Sequence, residues 1–150
     1  MPLVEHSIEI QAPVENVFGI VAHHPERQAE WWPPIELQER VSPAPTKIGS
    51  VSRYVYNMMG VKIKGEHEVL AMTENEYLKV KTISGIDSTF EFIFQPKNNI
   101  TDLTIRVDYK LPGSVLGQLL NKLVIEQKND ADLREGLANL KAIVEREKSP

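Results

Sequence analysis

The stretch LTIRVDYKLPGS, residues 103–114, carries the chain from a β-strand into a helix. From Leu103 to Leu111 the odd-numbered residues are apolar and the even-numbered residues are polar, which is the period of a strand with one buried face. Pro112-Gly113 then ends the strand, and Ser114 is a favourable N-cap for a helix. The sequence therefore predicts that the last strand of a sheet leads directly into a helix.

A long amphipathic segment follows this junction. We predict a helix from Val115 to Glu147, which would be about 50 Å long at the usual rise per residue. Apolar residues recur along it at helical spacing, at Leu116, Leu119, Leu120, Leu123, Leu133, Leu137, Leu140 and Val144. Between the two halves of this stripe, the facing positions hold Glu126, Gln127 and Asp130. A bend or a polar window is expected at that point.

Strands also dominate the chain before the junction, from Ile35 to Leu111. Turn signals separate six alternating segments, at Ser42-Pro43, Met59-Gly60, Glu74-Asn75, Ser84-Gly85 and Lys97-Asn98-Asn99. Such short links favour antiparallel hairpins. One segment places Phe90, Phe92 and Phe94 on a single face. The predicted sheet therefore has one apolar face with an aromatic wall.

The N-terminal part begins with one more strand, from Val4 to Ile10, whose alternation points His6 inward. Pro13 and Pro25 then occupy positions typical of the first turn of a helix. Two short helices are expected, over 14–21 and from Pro25 to about Trp32, before Pro33-Pro34 stops the second. Two helices therefore interrupt the sheet after its first strand.

Length and composition exclude several classes of protein. The 150 residues correspond to one domain, 1–150, and the net charge of -4 without basic clusters argues against nucleic acid as a partner. The absence of cysteine removes disulfides and thiolate metal sites, and fits a reducing compartment. No apolar run is long enough to span a bilayer, and the N-terminus lacks the features of a secretory signal. We therefore expect a cytoplasmic protein without a transmembrane segment.

Together these segments predict an α+β fold. A seven-stranded curved antiparallel sheet would surround a long C-terminal helix, with two short helices after strand 1. The concave face of such a sheet needs a cover, and the terminal helix is the obvious candidate. Function is therefore expected in the space between sheet and helix.

The order of elements and several local motifs resemble a known group of proteins. The motifs are IEIQAPVENVF (8–18), HPERQAEWW (24–32), KIGS (47–50) and LANLK (137–141). With these motifs the chain resembles the START/Bet v 1-like (SRPBCC) superfamily, and within it the polyketide cyclase/dehydrase and lipid-transport group. The resemblance implies the helix-grip fold, with a cavity for lipids, sterols, plant hormones or polyketides. It supplies no shared catalytic motif.

Aromatic residues are the main candidates for the wall of that cavity. Tyr54 and Tyr56 share one face of their strand, opposite Arg53, and we expect the tyrosines to point inward because an outward arginine is the commoner arrangement. Pattern alone leaves the two faces of this strand open. Trp31 and Trp32 are each expected in the core, with at least one of them touching the cavity. Further wall candidates are Phe90, Phe92, Val107 and Leu120.

Histidines supply the candidate polar groups. His67 falls on an inward face, where a neutral imidazole could hydrogen-bond a ligand or act as a general base, or could simply be satisfied by neighbouring groups. His6 is interpreted as a structural residue. Gln127 could orient a ligand if its part of the helix faces the cavity, and otherwise overhangs solvent. His23-His24 beside Glu26 are read as cap and surface residues, so no metal site and no cofactor are predicted.

The leading functional hypothesis is a carrier or sensor that binds a mostly apolar small molecule, such as a lipid, an isoprenoid or an aromatic polyketide. The alternative is a cyclase/dehydratase-type enzyme that uses His67 for proton transfer. A third hypothesis is an interaction module, since an activator of the Hsp90 chaperone resembles this fold, but the outward residues are mostly charged. The sequence makes no prediction about the oligomeric state or the identity of the ligand.

Overall fold

The computed structural model describes residues 3–110 and 122–147. The N-terminal part contains strand β1 (Leu3–Ile10), helix α1 (Val14–Phe18) with a following π-helical turn (Gly19–His23), a 3₁₀ turn (Pro25–Arg27) and helix α2 (Gln28–Trp31). Pro13 precedes α1, and Pro25 opens the 3₁₀ turn, since a fixed φ suits the first turn of a helix. The two short helices predicted after strand 1 are confirmed.

The remaining strands form one sheet. They are β2 (Ile35–Arg40), β3 (Val51–Met58), β4 (Val61–Thr73), β5 (Tyr77–Ser84), β6 (Asp87–Lys97) and β7 (Ile100–Lys110). All neighbours pair antiparallel, in the order β1-β7-β6-β5-β4-β3-β2, and the sheet is curled. The predicted seven-stranded antiparallel sheet is confirmed, with β1 and β2 as its two edges.

Four of the five predicted links are tight hairpin turns, whereas residues 41–50 form a longer connection between β2 and β3. One of the tight turns requires glycine for two reasons. Gly85 has a φ of 88°, which L side chains rarely adopt. A Cβ atom at Gly85 would also lie 2.3 Å from the hydroxyl of Tyr54. The turn between β5 and β6 therefore depends on the absence of a side chain, and this absence lets the tyrosine reach the turn.

The C-terminal helix α3 spans Lys122–Glu147 within the described residues. Its buried apolar residues are Ile125, Leu133, Leu137, Leu140, Ile143 and Val144. The helix is continuous through the predicted gap, and the gap is a polar window because Asn129 and Asp132 are buried there. The predicted helix start at Val115 and the side chains of Leu116, Leu119, Leu120 and Leu123 lie outside the described residues.

Polar contacts anchor the second half of α3 on the rest of the chain. Asn139 donates a hydrogen bond to the carbonyl of Trp31 at 3.1 Å, and Lys141 donates one to the carbonyl of Glu9 at 2.8 Å. At Gly136 the helix passes so close to α2 that a Cβ atom would lie 3.4 Å from the carbonyl oxygen of Trp31. The helix is therefore held against both α2 and β1, over the concave face of the sheet.

The outer face of the sheet carries mainly charged residues joined in ion pairs, such as Arg53 with Glu39 at 2.7 Å and Arg106 with Glu5 at 2.8 Å. Apolar exceptions are Leu37, Leu70 and Ile83, which are exposed. Within 3–110 and 122–147, no helix has both the length and the apolar character needed to cross a membrane.

Candidate functional site

Two adjoining compartments lie between the sheet and its helical cover. The first contains about 560 Å³ of empty space, including open solvent. Its apolar walls come from Trp32, Met58, Ile86, Phe90, Val107 and Leu133. The exposed wall is mainly apolar, and polar groups come from residues such as Gln28, His67, Thr82 and Asn129. Mainly apolar walls with oriented polar groups are typical of small-molecule sites.

The second compartment lies nearer to the π-helical turn and β2, with about 600 Å³ of empty space, again including open solvent. Apolar residues on its walls include Val21, Trp31, Val69, Leu78, Val80 and Phe92. It also has a polar side, formed by Gln38, Arg40, Thr46, Ser50 and Ser52. Gln28, His67 and Phe90 line both compartments, so the two spaces meet at these residues.

His67 is the central polar residue of the site. The alternation of β4 points it inward, where it is 5% exposed and packs edge-on against Phe90. Burial lowers the pKa of His67 to about 4, so the imidazole is neutral near neutral pH. The amide nitrogen of Gln38 lies 3.4 Å from Nδ1 of His67. Because an amide nitrogen can only donate, the proton of the neutral ring is on Nε2.

Tyr54 holds the His67 ring in place. The two rings stack with centroids 4.3 Å apart and an interplanar angle of 17°. The Tyr54 hydroxyl donates to the carbonyl of Ser84 at 2.9 Å and accepts from the backbone N–H of Ile86 at 3.0 Å. Burial raises the pKa of Tyr54. Its polar end is therefore committed to the backbone of the β5–β6 turn, and only its ring faces the first compartment.

Tyr56 of β3 and Asn129 of α3 form a polar contact between the sheet and the helix. Both line the first compartment, and the Tyr56 hydroxyl donates to Oδ1 of Asn129 at 3.5 Å. Burial, with the nearby carboxylate of Asp132, raises the pKa of Tyr56. Gln127, the sequence candidate on this helix, is exposed and contributes to neither compartment. Of the two alternatives left open for Gln127, the structure shows the solvent-exposed one, and Asn129 is the residue of the polar window that lines the cavity.

Each of the two tryptophans lines a different compartment. Trp32 lines the first and packs edge-on against Phe90 at 5.4 Å, whereas Trp31 lines the second. Both are almost fully buried, and neither indole N–H has a hydrogen-bond partner among the described residues. Both side chains thus belong to the core and also line a compartment.

Most of the other sequence candidates are also brought together. Tyr54, Tyr56, His67, Phe90 and Val107 line the first compartment, and Phe92 lines the second. The inward face of β3 is the one with the tyrosines, because Arg53 is exposed. Leu120 lies outside the described residues. A role of these residues in ligand binding remains a prediction.

Sequence reasoning missed Gln38 and Arg40, because a β-bulge disrupts the simple alternation of β2. The pairing of β2 with β3 shifts between Ile35 and Leu37. Ile35 and Gln38 are buried, although they are three positions apart, and Leu37 is exposed. A bulge changes which residues face inward, so alternation alone would have placed the apolar Leu37 inside. The only local signal was the mixed polar character of this strand.

The other three histidines lie outside both compartments. His6 Nε2 is 2.6 Å from Oδ1 of Asp130, which agrees with its interpretation as a structural residue. His23 pairs with Glu74 at 2.9 Å and His24 with Glu26 at 3.2 Å. The adjacent pair His23-His24 thus has partners on different elements and does not converge on one point.

The whole sequence matches one protein family. The family model described as "Polyketide cyclase / dehydrase and lipid transport" matches residues 1–145. No curated protein sequence matches the chain significantly.

Solved structures share the fold over nearly the whole chain. A protein of Thermus thermophilus is 24% identical with a TM-score of 0.81, and the match covers 99% of this chain and 100% of that one. The Zhui aromatase/cyclase of a Streptomyces species is 16% identical with a TM-score of 0.73, covering 97% and 94%. A START superfamily protein of Mycobacterium smegmatis is 18% identical with a TM-score of 0.63, covering 91% and 98%. At these identities the similarity establishes the fold, not a shared activity.

Proposed function

We propose that this chain, which belongs to the polyketide cyclase/dehydrase and lipid-transport family, binds a mostly apolar small molecule between the sheet and the C-terminal helix, as a carrier or sensor. The observation that carries this proposal is the pair of adjoining compartments with apolar walls. A ligand of the lipid, isoprenoid or aromatic polyketide class gains about 25 cal/mol for each Å² of apolar surface that it buries.

The polar groups of the site support binding more than proton transfer. His67 is neutral with its Nε2 protonated, so it can donate a hydrogen bond to a ligand. A pKa of about 4 makes it a weak base at neutral pH, whereas a general base works best with a pKa near the operating pH. Its stacking on Tyr54 holds the ring rigidly, which suits recognition of one orientation of a ligand.

The experiment combines native mass spectrometry with thermal unfolding. The purified protein should carry added mass, or its unfolding temperature should rise by several degrees with a fatty acid, farnesol or naphthalene in large excess over Kd. A Val107→Phe variant, which fills the first compartment, should lose this shift, whereas Ile93→Phe on the outer face of β6 should keep it. Absence of added mass together with absence of a shift for every probe would overturn the proposal.

The second candidate function is a cyclase/dehydratase-type enzyme that moves a proton through His67. Its support is the location of His67 where the two compartments meet, with a hydrogen bond that selects one tautomer. Turnover of a poly-β-ketone substrate that His67→Ala abolishes, with unchanged ligand affinity, would favour this function. A variant that only binds more weakly would favour the carrier.

A further inference from the structure

The second compartment contains a buried hydrogen-bond acceptor that no described residue satisfies. Gln38 is 5% exposed, and its amide nitrogen donates to Oγ of Ser52 at 2.8 Å and faces His67. Its other amide atom, Oε1, is buried without a partner. Buried polar atoms are normally paired because leaving one unpaired is costly. An acceptor of this kind in the wall of a cavity indicates that a ligand supplies the donor.

Two donors in the same compartment are also unsatisfied. The indole N–H of Trp31 and the Nε–H of Arg40 are buried, and neither has a partner within the described residues. Nη1 of the same guanidinium is engaged, because it donates to the carbonyl of His23 at 3.2 Å and to Oγ1 of Thr46 at 3.0 Å. Nη1 also lies 3.9 Å from a carboxylate oxygen of Glu26. The charge of Arg40 is therefore partly compensated by the protein.

We propose that the second compartment is a subsite for a hydroxyl group on a neutral, mostly apolar ligand. A hydroxyl both donates and accepts, so it matches a compartment whose walls hold one unpaired acceptor and unpaired donors. A ketone or an ether has no proton for Gln38. A carboxylate would place negative charge against the Gln38 oxygen, close to a guanidinium that Glu26 already faces. This inference rests on the proposed function, since it assigns the polar end of the same ligand.

The test compares matched aromatic probes by isothermal titration calorimetry at neutral pH. The probes are naphthalene, 1-naphthol, 1-methoxynaphthalene and 1-naphthoate. We expect 1-naphthol to bind about tenfold more tightly than 1-methoxynaphthalene, since only the former can satisfy Gln38. Naphthoate should bind no better than the ether. Equal affinity for naphthol and its ether, or a preference for naphthoate, would overturn the inference.

A substitution at Gln38 tests whether this residue causes the preference for naphthol. Gln38→Leu keeps a similar volume but removes the acceptor, so it should lose the preference for naphthol over its ether. Gln95→Leu makes the same chemical change at an exposed position of β6 and should keep it. A Gln38→Leu protein that retains the full preference would also overturn the inference.

The two proposals fail differently in this experiment. If the wild-type protein binds none of the four probes, the hydroxyl subsite is rejected, and the proposed function is rejected with it only if the fatty acid and farnesol also fail to bind. If naphthalene binds but naphthol has no advantage, only the subsite is rejected. The comparison among probes uses the wild-type protein, so it decides the inference even if Gln38→Leu does not fold.

Discussion

His6 and His67 both face inward on alternating strands, yet they occupy opposite environments. His6 lies on the edge strand β1, where its side chain is 21% exposed and contacts Asp130 of α3. His67 lies on β4, inside the sheet, where Tyr54 and Phe90 surround its ring and no carboxylate pairs with it among the described residues. The pKa shifts follow this difference: the contact with His6 lowers the pKa of Asp130, whereas burial lowers the pKa of His67.

The period of a strand determines on which face of the sheet a residue lies, whereas the position of the strand in the sheet determines what surrounds that residue. An edge strand leaves room for a charged partner and for water, so its polar residues form surface contacts of small energy. An interior strand is flanked on both sides, so a polar residue on its inner face must be neutral or fully hydrogen-bonded. The interior region, around His67, is the proposed place for ligand recognition, and the edge region, around His6, joins sheet and helix.

The largest expected effect is a loss of stability when the packing around Tyr54 in the interior region is disturbed. A Cβ atom at Gly65 would lie 2.1 Å from the carbonyl oxygen of Ser84 and 2.5 Å from the Tyr54 hydroxyl. Gly65→Ala should therefore displace the Tyr54 ring and reduce the free energy of unfolding by about 3 kcal/mol. Urea unfolding measures this loss.

A glycine outside the interior region provides the control. Gly19 has no atom within 4 Å of an added Cβ, so Gly19→Ala should leave stability unchanged or raise it by up to about 1 kcal/mol. Equal stabilities for the two alanine variants would show that the interior region is not tightly packed around Tyr54.

The next effect is a pH dependence that the interior histidine should produce. The folded chain keeps His67 neutral down to a pKa of about 4, whereas the unfolded chain takes up a proton near the ordinary value of 6.5. The free energy of unfolding should therefore have its full value, as far as His67 is concerned, above pH 6.5. The contribution of His67 should be lost as the pH falls from 6.5 towards 4. Between neutral pH and about pH 5, the wild type should lose about 2 kcal/mol more than His67→Gln.

His6→Gln is the matched variant for this measurement. The His6→Gln protein should retain the decrease in the free energy of unfolding that His67 causes on acidification, because His67 is intact. Urea unfolding at the two pH values measures the difference for all three proteins. If His67→Gln lost as much stability on acidification as the wild type, the buried neutral state of His67 would be wrong.

The smallest effect separates two adjacent residues of α3 that belong to different regions. Asn129→Ala should cost about 1 kcal/mol, because the buried Tyr56 hydroxyl loses its partner. Asp130→Ala should cost only a few tenths of a kcal/mol, since its carboxylate is 44% exposed. In a Tyr56→Phe background the cost of Asn129→Ala should shrink, and an unchanged cost would reject the contact.

Much of the fold follows from local patterns in the sequence. Alternation and turn signals located the strands from Val51 to Lys110, and also placed His67 and Phe90 on the inner face. These predictions succeed because side-chain direction along a regular strand has a period of two, whatever the strand pairs with.

The polar side of the candidate site could not be predicted in the same way. The bulge in β2 brings Gln38 inward, and it exists only because β2 pairs with β3 in a shifted register. On the helix, Gln127 and Asn129 both fall in the polar gap, and the periodicity does not decide which one faces the cavity. That choice depends on the rotation of α3, which contacts with Trp31 and β1 set.

The sequence alone therefore determined the order of elements, the inner and outer faces of the regular strands and the helical stripe, since these properties depend on neighbouring residues in the chain. Tertiary contacts set the enclosure of His67 and the partial exposure of His6, and they place Gln38 and Asn129 in the lining of the cavity. Burial, register shifts and helix rotation arise from contacts between residues far apart in sequence, and no local pattern records them.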